Sequence, residues 1–329
     1  MAEATPTAER LESAPFRPLN RGYRSVFQPG RLTLGLVVPI ETYAQGPVPA
    51  MERHAERVRL AERLGFAAVW LRDVPFNVPS FGDAGQPFDP FVYLGLLAGQ
   101  TERIALGVAS VILPLRHPAH VARAAASADV LSGGRLLLGI ASGDRPAEYP
   151  AFGQRFEARG ERFREAYAYL RRIAEPSPSL DSPYGRVGGG IDLLPKPVVG
   201  QLPLLITGGS RQAPSWVAAH GDGWMTYPRA AAVQAQAVRD YRALIPGTFG
   251  KPVMQPLYVD LDDDPDAAPR PLHLGMRSGM RALAAYLGAL ETAGVNHVAL
   301  NLRFNRADTE TTLRCLADDL LPQFPTLQM

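Results

Sequence analysis

Short apolar runs alternate with amphipathic segments along this chain of 329 residues, and that alternation is the strongest constraint on its fold. The first run, RLTLGLVVPI over 31–40, is apolar on both faces and rich in β-branched residues, which indicates a strand buried between two layers. The eight runs predicted to be strands cover residues 31–40, 66–72, 104–113, 135–142, 203–208, 223–228, 252–261 and 297–302. Strands that alternate with helices are typical of a parallel sheet with crossover helices.

Helical periodicity and capping signals fill the segments between these runs. Asp89 and His117 each precede a proline and are predicted N-caps, and Gly65 stands where a helix should end. The predicted helices cover residues 47–64, 89–100, 117–132, 159–174, 211–220, 230–244, 280–293 and 309–321. Each predicted helix therefore separates two predicted strands or follows the last one.

Eight such units in this length favour a closed (β/α)8 barrel, the TIM-barrel fold, formed as a single domain by residues 31–329. An open doubly wound sheet is the alternative, because periodicity does not show closure. Residues 1–30 lack periodicity and are predicted to form an irregular N-terminal arm. Residues 175–200 are rich in proline and glycine and are predicted to be an insertion, either a loop or a hairpin.

Composition and charge narrow the class of function. Lys+Arg is 34 and Asp+Glu is 32, and a net charge of +2 argues against a nucleic-acid-binding protein. The single cysteine, Cys315, excludes an internal disulfide and a cysteine-rich zinc site, and the histidines lack the spacing of metal ligands, so no metal is expected. No run has the length of a membrane span and the N-terminus lacks a signal sequence, so a soluble cytoplasmic protein is expected.

Active sites of (β/α)8 barrels lie at the carboxyl ends of the strands, so the candidate residues follow from the predicted strands. They are Pro39, Ile40, Glu41, Arg72, Asp73, Ala109, Ser110, Ser142, Gly143, Asp144, Arg145, Gly208, Gly209, Ser210, Arg211, Gln212, Trp224, Met225, Thr226, Tyr227, His273, Arg277, Asn301 and Arg303. Arg72 and Asp73 directly follow an apolar strand. They could bond a ring or a substrate, or pair with neighbours as a structural ion pair.

The turn TGGSRQ, residues 207–212, predicts a phosphate site. Gly208 and Gly209 let the backbone approach a ligand closely. Ser210 can cap the following helix, whose N-terminal dipole attracts an anion, and Arg211 adds a permanent positive charge with a fork suited to phosphate. The alternative is a simple turn followed by an N-cap.

Small residues cluster at the ends of the third and fourth predicted strands. They are Gly107, Ala109, Ser110, Ala141, Ser142 and Gly143. Side chains of this size would leave a slot at the barrel mouth for a flat, apolar ligand. Alternatively, they fit the taper of the barrel interior.

The segment GVASVILPLRHPAHVARAAASADVLSGGRLLLGIASGD, residues 107–144, resembles the luciferase-like monooxygenases, a flavin-dependent superfamily. Residues 203–224 are similar to that family's later strand, phosphate turn and DGW segment, and VNHVALNL over 295–302 is similar to its last strand. The resemblance spans most of residues 30–325. It is closest to a bacterial subgroup whose substrates are unassigned, and not to luciferase itself.

This resemblance implies a TIM barrel that binds FMN or, in some branches, the deazaflavin F420. By position, Ala109-Ser110 match the family's non-prolyl cis peptide, which backs the flavin ring. Ala141 and Ser142 match positions beside the flavin. The residues predicted to bind the cofactor are Pro39, Glu41, Arg72, Ala109, Ser110, Ala141, Ser142, Gly143, Gly208, Gly209, Ser210, Arg211, Gln212 and Trp224.

Two departures from luciferase follow from the same resemblance. Luciferase has a catalytic histidine at the position of Asp73 and an arginine at the position of Ser142. Light emission is therefore not expected, and Arg211 is the candidate to meet the phosphate charge. Arg72 and Asp73, which match the strand end near the ring and the substrate, are the predicted catalytic residues.

The leading functional hypothesis is a monooxygenase in which reduced FMN, supplied by a separate reductase, and O2 oxygenate a small organic substrate. Arg72 would stabilise negative charge and Asp73 would handle a proton. The alternatives are an F420-dependent hydride-transfer enzyme and a non-catalytic flavin-binding protein. A Schiff-base aldolase is disfavoured because the chain has only two lysines, Lys196 and Lys251. A homodimer is expected from the family alone.

Overall fold

The computed structural model describes residues 14–188 and 190–327. Twelve strands occur in these ranges. They are β1 (Thr33–Val37), β2 (Ala68–Leu71), β3 (Ala105–Ile112), β4 (Leu136–Ala141), β5 (Leu180–Ser182), β6 (Gly185–Val187), β7 (Leu204–Thr207), β8 (Gly223–Met225), β9 (Val253–Leu261), β10 (Arg270–Leu272), β11 (Gly275–Ser278) and β12 (His297–Asn301). β5 pairs with β6 and β10 with β11 as antiparallel hairpins, and the other eight are parallel.

The eight parallel strands close into a ring. Their order is β1, β2, β3, β4, β7, β8, β9, β12 and back to β1. The ring closes where Trp224 of β8 lies opposite Val253 of β9 and where Leu34 of β1 lies opposite Val298 of β12. The predicted (β/α)8 barrel is confirmed, and the open sheet is excluded because each of these strands has two neighbours.

Helices follow the strands at the predicted places. Their bounds are Arg21–Val26, His54–Leu64, Pro90–Ala98, Pro118–Leu131, Glu148–Ala151, Arg159–Ile173, Pro214–His220, Ala231–Ala243, Met280–Thr292 and Thr309–Leu320. Asp89 accepts the N–H of Phe91 and the His117 ring accepts the N–H of Ala119, so both predicted N-caps are confirmed. Gly65, with φ of 99°, ends the second helix as predicted. None of these helices is long and apolar enough to span a bilayer.

The helices Arg21–Val26 and Glu148–Ala151 and the hairpin β10–β11 were not predicted, whereas the hairpin β5–β6 is one of the two alternatives predicted for residues 175–200. The helix Arg21–Val26 lies in the segment predicted to be irregular, and the first thirteen residues of that arm lie outside the described ranges. The predicted insertion at 175–200 contains the hairpin β5–β6, with residue 189 outside the described ranges. The hairpin β10–β11 extends the ring, because β11 pairs in parallel with the carboxyl half of β9.

Side chains alternate between the barrel interior and the surrounding helix layer along each strand. In β2, Ala68 and Trp70 belong to an inner apolar cluster, whereas Val69 and Leu71 pack in a separate outer cluster under the helices. The same alternation holds in the other ring strands. It decides which residues at the strand ends can face the barrel mouth.

Trp70 fills the middle of the barrel. A Cβ at Gly107 would lie 2.2 Å from the Trp70 ring, and a Cβ at Gly35 would lie 2.7 Å from the ring of His297. These two glycines therefore make room for large buried side chains. The prediction that Gly107 helps to open a slot for a ligand is wrong, because Trp70 occupies that space.

A chain of hydrogen bonds links Trp70 to the N-terminal helix. The Trp70 indole N–H donates to Nε2 of His297 at 2.8 Å, so the ring proton of His297 must be on Nδ1. Nδ1 donates to the hydroxyl of Thr33 at 2.8 Å, and that hydroxyl donates to the carbonyl of Val26 at 2.8 Å. Burial lowers the pKa of His297 to about 3, so the ring is neutral at pH 7.

Replacing Gly107 by alanine should lower the free energy of unfolding by about 1–3 kcal/mol, because the methyl group would overlap the Trp70 ring. Gly288→Ala is the matched control, since Gly288 lies in the helix Met280–Thr292 with open space at its Cβ position. For Gly288→Ala we expect the free energy of unfolding to rise by about 0.5–1 kcal/mol, because alanine favours the helix more than glycine does. Urea unfolding measures both changes, and changes of the same sign in the two variants would contradict the packing assignment.

Candidate active site

The carboxyl ends of the ring strands meet at one mouth, whose two sides differ in chemistry. The side at β3, β4 and β7, which we call the small-residue floor, comprises Ala109, Ser110, Ala141 and Ser142. A second group of residues at the mouth, which we call the arginine cluster, comprises Arg72, Arg145 and Arg303 around Asp83. Within residues 14–188 and 190–327, no three His, Cys, Asp or Glu side chains form a group that could hold a metal ion.

The small-residue floor rests on contacts between β3, β7 and β8. The Ala109–Ser110 peptide is cis, as the family resemblance predicts. The hydroxyls of Ser110 and Thr207 share a hydrogen bond, and the Met225 sulfur lies 3.7 and 3.3 Å from their oxygens. Ala109 and Ala141 are half-buried, so their methyl groups form the accessible part of the floor.

Tyr149 supports the floor behind β4. Its hydroxyl donates to the carbonyl of Ser142, whose side chain is buried. Gly143 has φ of 75°, and a Cβ there would lie 2.7 Å from both Ile112 and the Tyr149 hydroxyl. Gly143 is therefore required by backbone shape and packing, and Ser142 and Gly143 support the floor from behind.

The turn after β7, residues 207–212, presents backbone N–H groups that have no acceptor. φ is positive at Gly208 (54°), Ser210 (43°) and Arg211 (61°). The N–H groups of Gly209, Ser210 and Arg211 donate to no described residue. Successive amides in a turn of this kind form a concavity that binds anions, so the turn fits a phosphate group.

The turn is anchored differently from the prediction. The Ser210 hydroxyl donates to the carbonyl of Thr207 at 2.8 Å, and the next helix begins only at Pro214, without a side-chain cap. The predictions that Ser210 caps this helix and that the helix begins at residue 211 are wrong, because a proline favours the first helical position. The Gln212 amide donates to the carbonyl of Gly160 at 2.7 Å and ties the turn to another helix.

Arg211, in the same turn as the acceptor-free amides, is exposed and carries a permanent positive charge. It forms no ion pair with any residue in the described part of the chain. A Cβ at Gly160 would lie 2.9 Å from the Cβ of Arg211, so Gly160 allows the turn to lie against the helix Arg159–Ile173. The turn therefore offers an anion its own amides and one free positive charge, in place of the predicted helix dipole.

Asp83 lies at the centre of the arginine cluster. Its Oδ2 accepts from Nη1 of Arg72 at 2.6 Å and lies 3.2 Å from Nη1 of Arg303. The hydroxyl of Tyr258 donates to Oδ2 and that of Tyr43 to Oδ1, both at 3.2 Å. Burial alone would raise the pKa of Asp83, but Arg72, a backbone N–H and Arg303 outweigh it and hold the pKa below its ordinary value.

Asp83 and its two tyrosine partners were not among the predicted site residues. The loop between β2 and the helix Pro90–Ala98 carries Asp83 across the mouth, and residues 83–86 are buried there. Gly82 and Gly85, with φ of 83° and 63°, flank the aspartate. An aspartate set between glycines in the loop after a barrel strand was the signal that the sequence offered.

Asp73 does not face the mouth. Its carboxylate accepts Nε and Nη2 of Arg116 at 2.9 and 2.7 Å and the N–H of Ile112 at 3.1 Å. The Asp73 side chain is 2% exposed, whereas that of Arg72 is 24% exposed. The alternative of a structural ion pair therefore describes Asp73, and the expectation that it handles a substrate proton is corrected.

Three more of the predicted cofactor residues have other partners. The Glu41 carboxylate accepts two backbone N–H groups of the following loop, at 2.7 and 3.3 Å, and Pro39 is buried after a cis peptide bond. The Trp224 indole donates to the carbonyl of Gly208 at 3.0 Å and stacks on Tyr241 with ring centroids 5.0 Å apart. Trp224 thus lies on the outer face of β8, which corrects the prediction that it contacts a cofactor.

Comparison with known proteins gives a consistent result. A family model described as luciferase-like monooxygenase matches residues 31–323. The F420-dependent hydroxymycolic acid dehydrogenase of Mycobacterium tuberculosis is 30% identical over 233 residues, which cover 66% of this chain and 61% of that protein.

Two solved structures have a similar fold. The oxygenating constituent of 3,6-diketocamphane monooxygenase from Pseudomonas putida, in complex with FMN, is 14% identical with a TM-score of 0.72, covering 90% of this chain and 100% of that one. The coenzyme F420-dependent tetrahydromethanopterin reductase of Methanopyrus kandleri is 15% identical with a TM-score of 0.70, covering 89% and 99%. At these identities the likeness shows the fold alone.

Replacing Asp83 by asparagine should lower the free energy of unfolding by about 3–5 kcal/mol at pH 7, because two guanidinium groups lose their carboxylate. The pKa of folded Asp83 is lowered, so this contribution is complete above about pH 4 and is lost as the pH falls through the folded pKa. Urea unfolding at pH 7 and at about pH 2, well below the ordinary aspartate pKa, measures the difference from wild type.

The matched control is Asp262→Asn, which breaks a more exposed ion pair with Arg277 and should cost much less. If the Asp83→Asn difference were the same at both pH values, the ionised Asp83 carboxylate would not be the stabilising group.

Proposed function

Because the chain belongs to the luciferase-like monooxygenase family, we propose that it is an oxidoreductase in which reduced FMN and O2 oxygenate a small organic substrate. The observation that carries this proposal is the turn 207–212, whose three acceptor-free amides and exposed Arg211 adjoin the small-residue floor. A ligand with a flat ring and a phosphate at the end of a side chain matches that arrangement. When bound, FMN supplies the redox chemistry.

The protein's own residues would bind and orient the reactants. The amides of Gly209, Ser210 and Arg211 would hold the phosphate, and the methyl groups of Ala109 and Ala141 would support the ring. Neutral methyl groups bury a flat apolar ring without leaving a polar group unpaired. These binding roles are assigned from the geometry of the turn 207–212 and of the small-residue floor.

The arginine cluster would contact the reduced ring and the substrate. Arg72 is partly exposed there and carries a charge that would stabilise a negative group. We assign Asp73 a positioning role, because its carboxylate holds Arg116 against the end of β2. The loop that carries Asp83 covers this side and would limit the access of water.

A second candidate is F420-dependent hydride transfer on the same barrel. It is favoured by the identity to the mycobacterial F420-dependent dehydrogenase, which extends over two thirds of this chain. The acceptor-free amides of the turn would serve the phosphate of either cofactor. A separate flavin reductase as partner, a homodimer and a cytoplasmic location belong to the proposal through the family alone.

The purified protein should bind reduced FMN more tightly than oxidised FMN or F420, because Arg72 favours a negatively charged ring. Anaerobic calorimetry with the three cofactors measures the order of affinity. Tightest binding of F420 would move the assignment to hydride transfer. A folded protein that binds none of them would contradict a cofactor site at this mouth.

Arg211→Gln should weaken FMN binding about tenfold and leave riboflavin binding unchanged, because only FMN presents a phosphate to the turn. The matched control is Arg186→Gln, which removes an exposed arginine from the hairpin β5–β6. Fluorescence titration of both flavins against the three proteins gives the affinities. Equal loss for FMN and riboflavin would show that Arg211 does not act on the phosphate.

A further inference from the structure

Arg145, which follows β4, is a buried guanidinium with an unused donor group. The residue is 5% exposed, and its Nη2 donates to the carbonyl oxygen of Asp83 at 2.6 Å. Its Nη1 is buried and has no hydrogen-bond partner among the described residues. The ring of Phe81 lies over one face of the guanidinium, 4.7 Å from ring centroid to Cζ.

No carboxylate pairs with this guanidinium. Arg145 forms no ion pair within 4 Å in the described part of the chain, and the carboxylate of Asp83 is taken by Arg72 and Arg303. Three guanidinium groups thus converge on Asp83, two on its carboxylate and that of Arg145 on its main-chain carbonyl. Burial, and then repulsion from Arg72, lowers the pKa of Arg145.

Two other acids lie near Arg145 without pairing with it. Asp144 is exposed, and Glu148 is buried with its Oε1 unpartnered. Burial raises the pKa of Glu148 above its ordinary value. A buried guanidinium donor without a partner costs free energy, which an anion bound at that donor would offset.

We propose that Arg145 binds a carboxylate group of the substrate through its free Nη1, with Arg72 as the second cation of the site. This inference rests on the proposed function, since it places an organic acid at the mouth where the reaction would occur. Arg72 and Arg145 follow β2 and β4, the strands on either side of β3, which carries the cis peptide of the floor. An acid held between them would lie beside a ring on the floor.

A carboxylate fits this site better than a phosphate. It is planar and singly charged, and the free Nη1 of Arg145 beside a second cation matches it. A phosphate dianion demands more donors, of the kind that the turn 207–212 supplies with three amides and Arg211. The negative ring of a reduced cofactor is another delocalised anion, and the experiment separates it from the substrate.

The test is calorimetric titration with benzoate, its neutral isostere benzamide, and phenyl phosphate. Each ligand is added to the cofactor-free protein and to the protein saturated with oxidised FMN, whose ring is neutral. We expect benzoate to bind at least about tenfold more tightly than benzamide, and more tightly than phenyl phosphate when FMN is bound. Arg145→Gln should remove the preference for benzoate over benzamide, and Arg145→Lys should keep part of it.

Arg164→Gln is the matched control, because Arg164 is an exposed arginine of the helix Arg159–Ile173. This substitution should leave the preference for benzoate over benzamide unchanged. The affinity for oxidised and reduced FMN is measured in every variant. If Arg145→Gln fails to fold, the inference is still tested by the preference of the wild type for benzoate over benzamide and by the size of that preference in Arg145→Lys.

Four results would overturn the inference. The first is that benzoate does not bind the wild type with or without FMN, and the second is that Arg145→Gln still prefers benzoate to benzamide. The third is that, with FMN bound, phenyl phosphate binds more tightly than benzoate. The fourth is that Arg145→Gln loses affinity only for reduced FMN. If FMN does not bind but benzoate binding depends on Arg145, the carboxylate site stands and the proposed function falls. If FMN binds and benzoate does not, the carboxylate site falls and the proposed function stands.

Discussion

The packing of Trp70 across the barrel interior fixes how deep the mouth can be. The indole ring lies against Gly107 of the next strand, and its N–H is held by the neutral ring of His297. Two glycines and a desolvated histidine are needed to accommodate it, so the lower half of the barrel is filled. A ligand can therefore occupy only the upper layer, where Ala109 and Ala141 replace large inward side chains.

Within that layer, charge is distributed unevenly. The small-residue floor is neutral and ends in a turn whose amides have no acceptor, whereas the arginine cluster concentrates three guanidinium groups. A neutral flat ring loses little on leaving water for the floor, while a charged group would be poorly solvated there. The division of the mouth thus favours a ring on one side and a charged reactant on the other.

The sequence predicts those features that depend on local patterns. Strand and helix periodicity gives the barrel, and the glycines of the turn 207–212 give the candidate phosphate site. It does not give the arginine cluster, because Asp83 is separated from Tyr258 by 175 residues and meets it only after the barrel closes. Nor does it give the partner of Asp73, since Arg116 lies 43 residues away in the next β/α unit. Contacts of this kind follow from closure and not from spacing.

Asp83 explains why three arginines can be neighbours at all. Without an acid among them, like charges at hydrogen-bond range in a water-poor mouth would repel strongly. The carboxylate offsets Arg72 and Arg303, while only its main-chain carbonyl is given to Arg145. The loop that covers the mouth therefore also arranges its charges: the carboxylate of Asp83 fixes two arginines in place, and the third bonds only to the main-chain carbonyl of that residue.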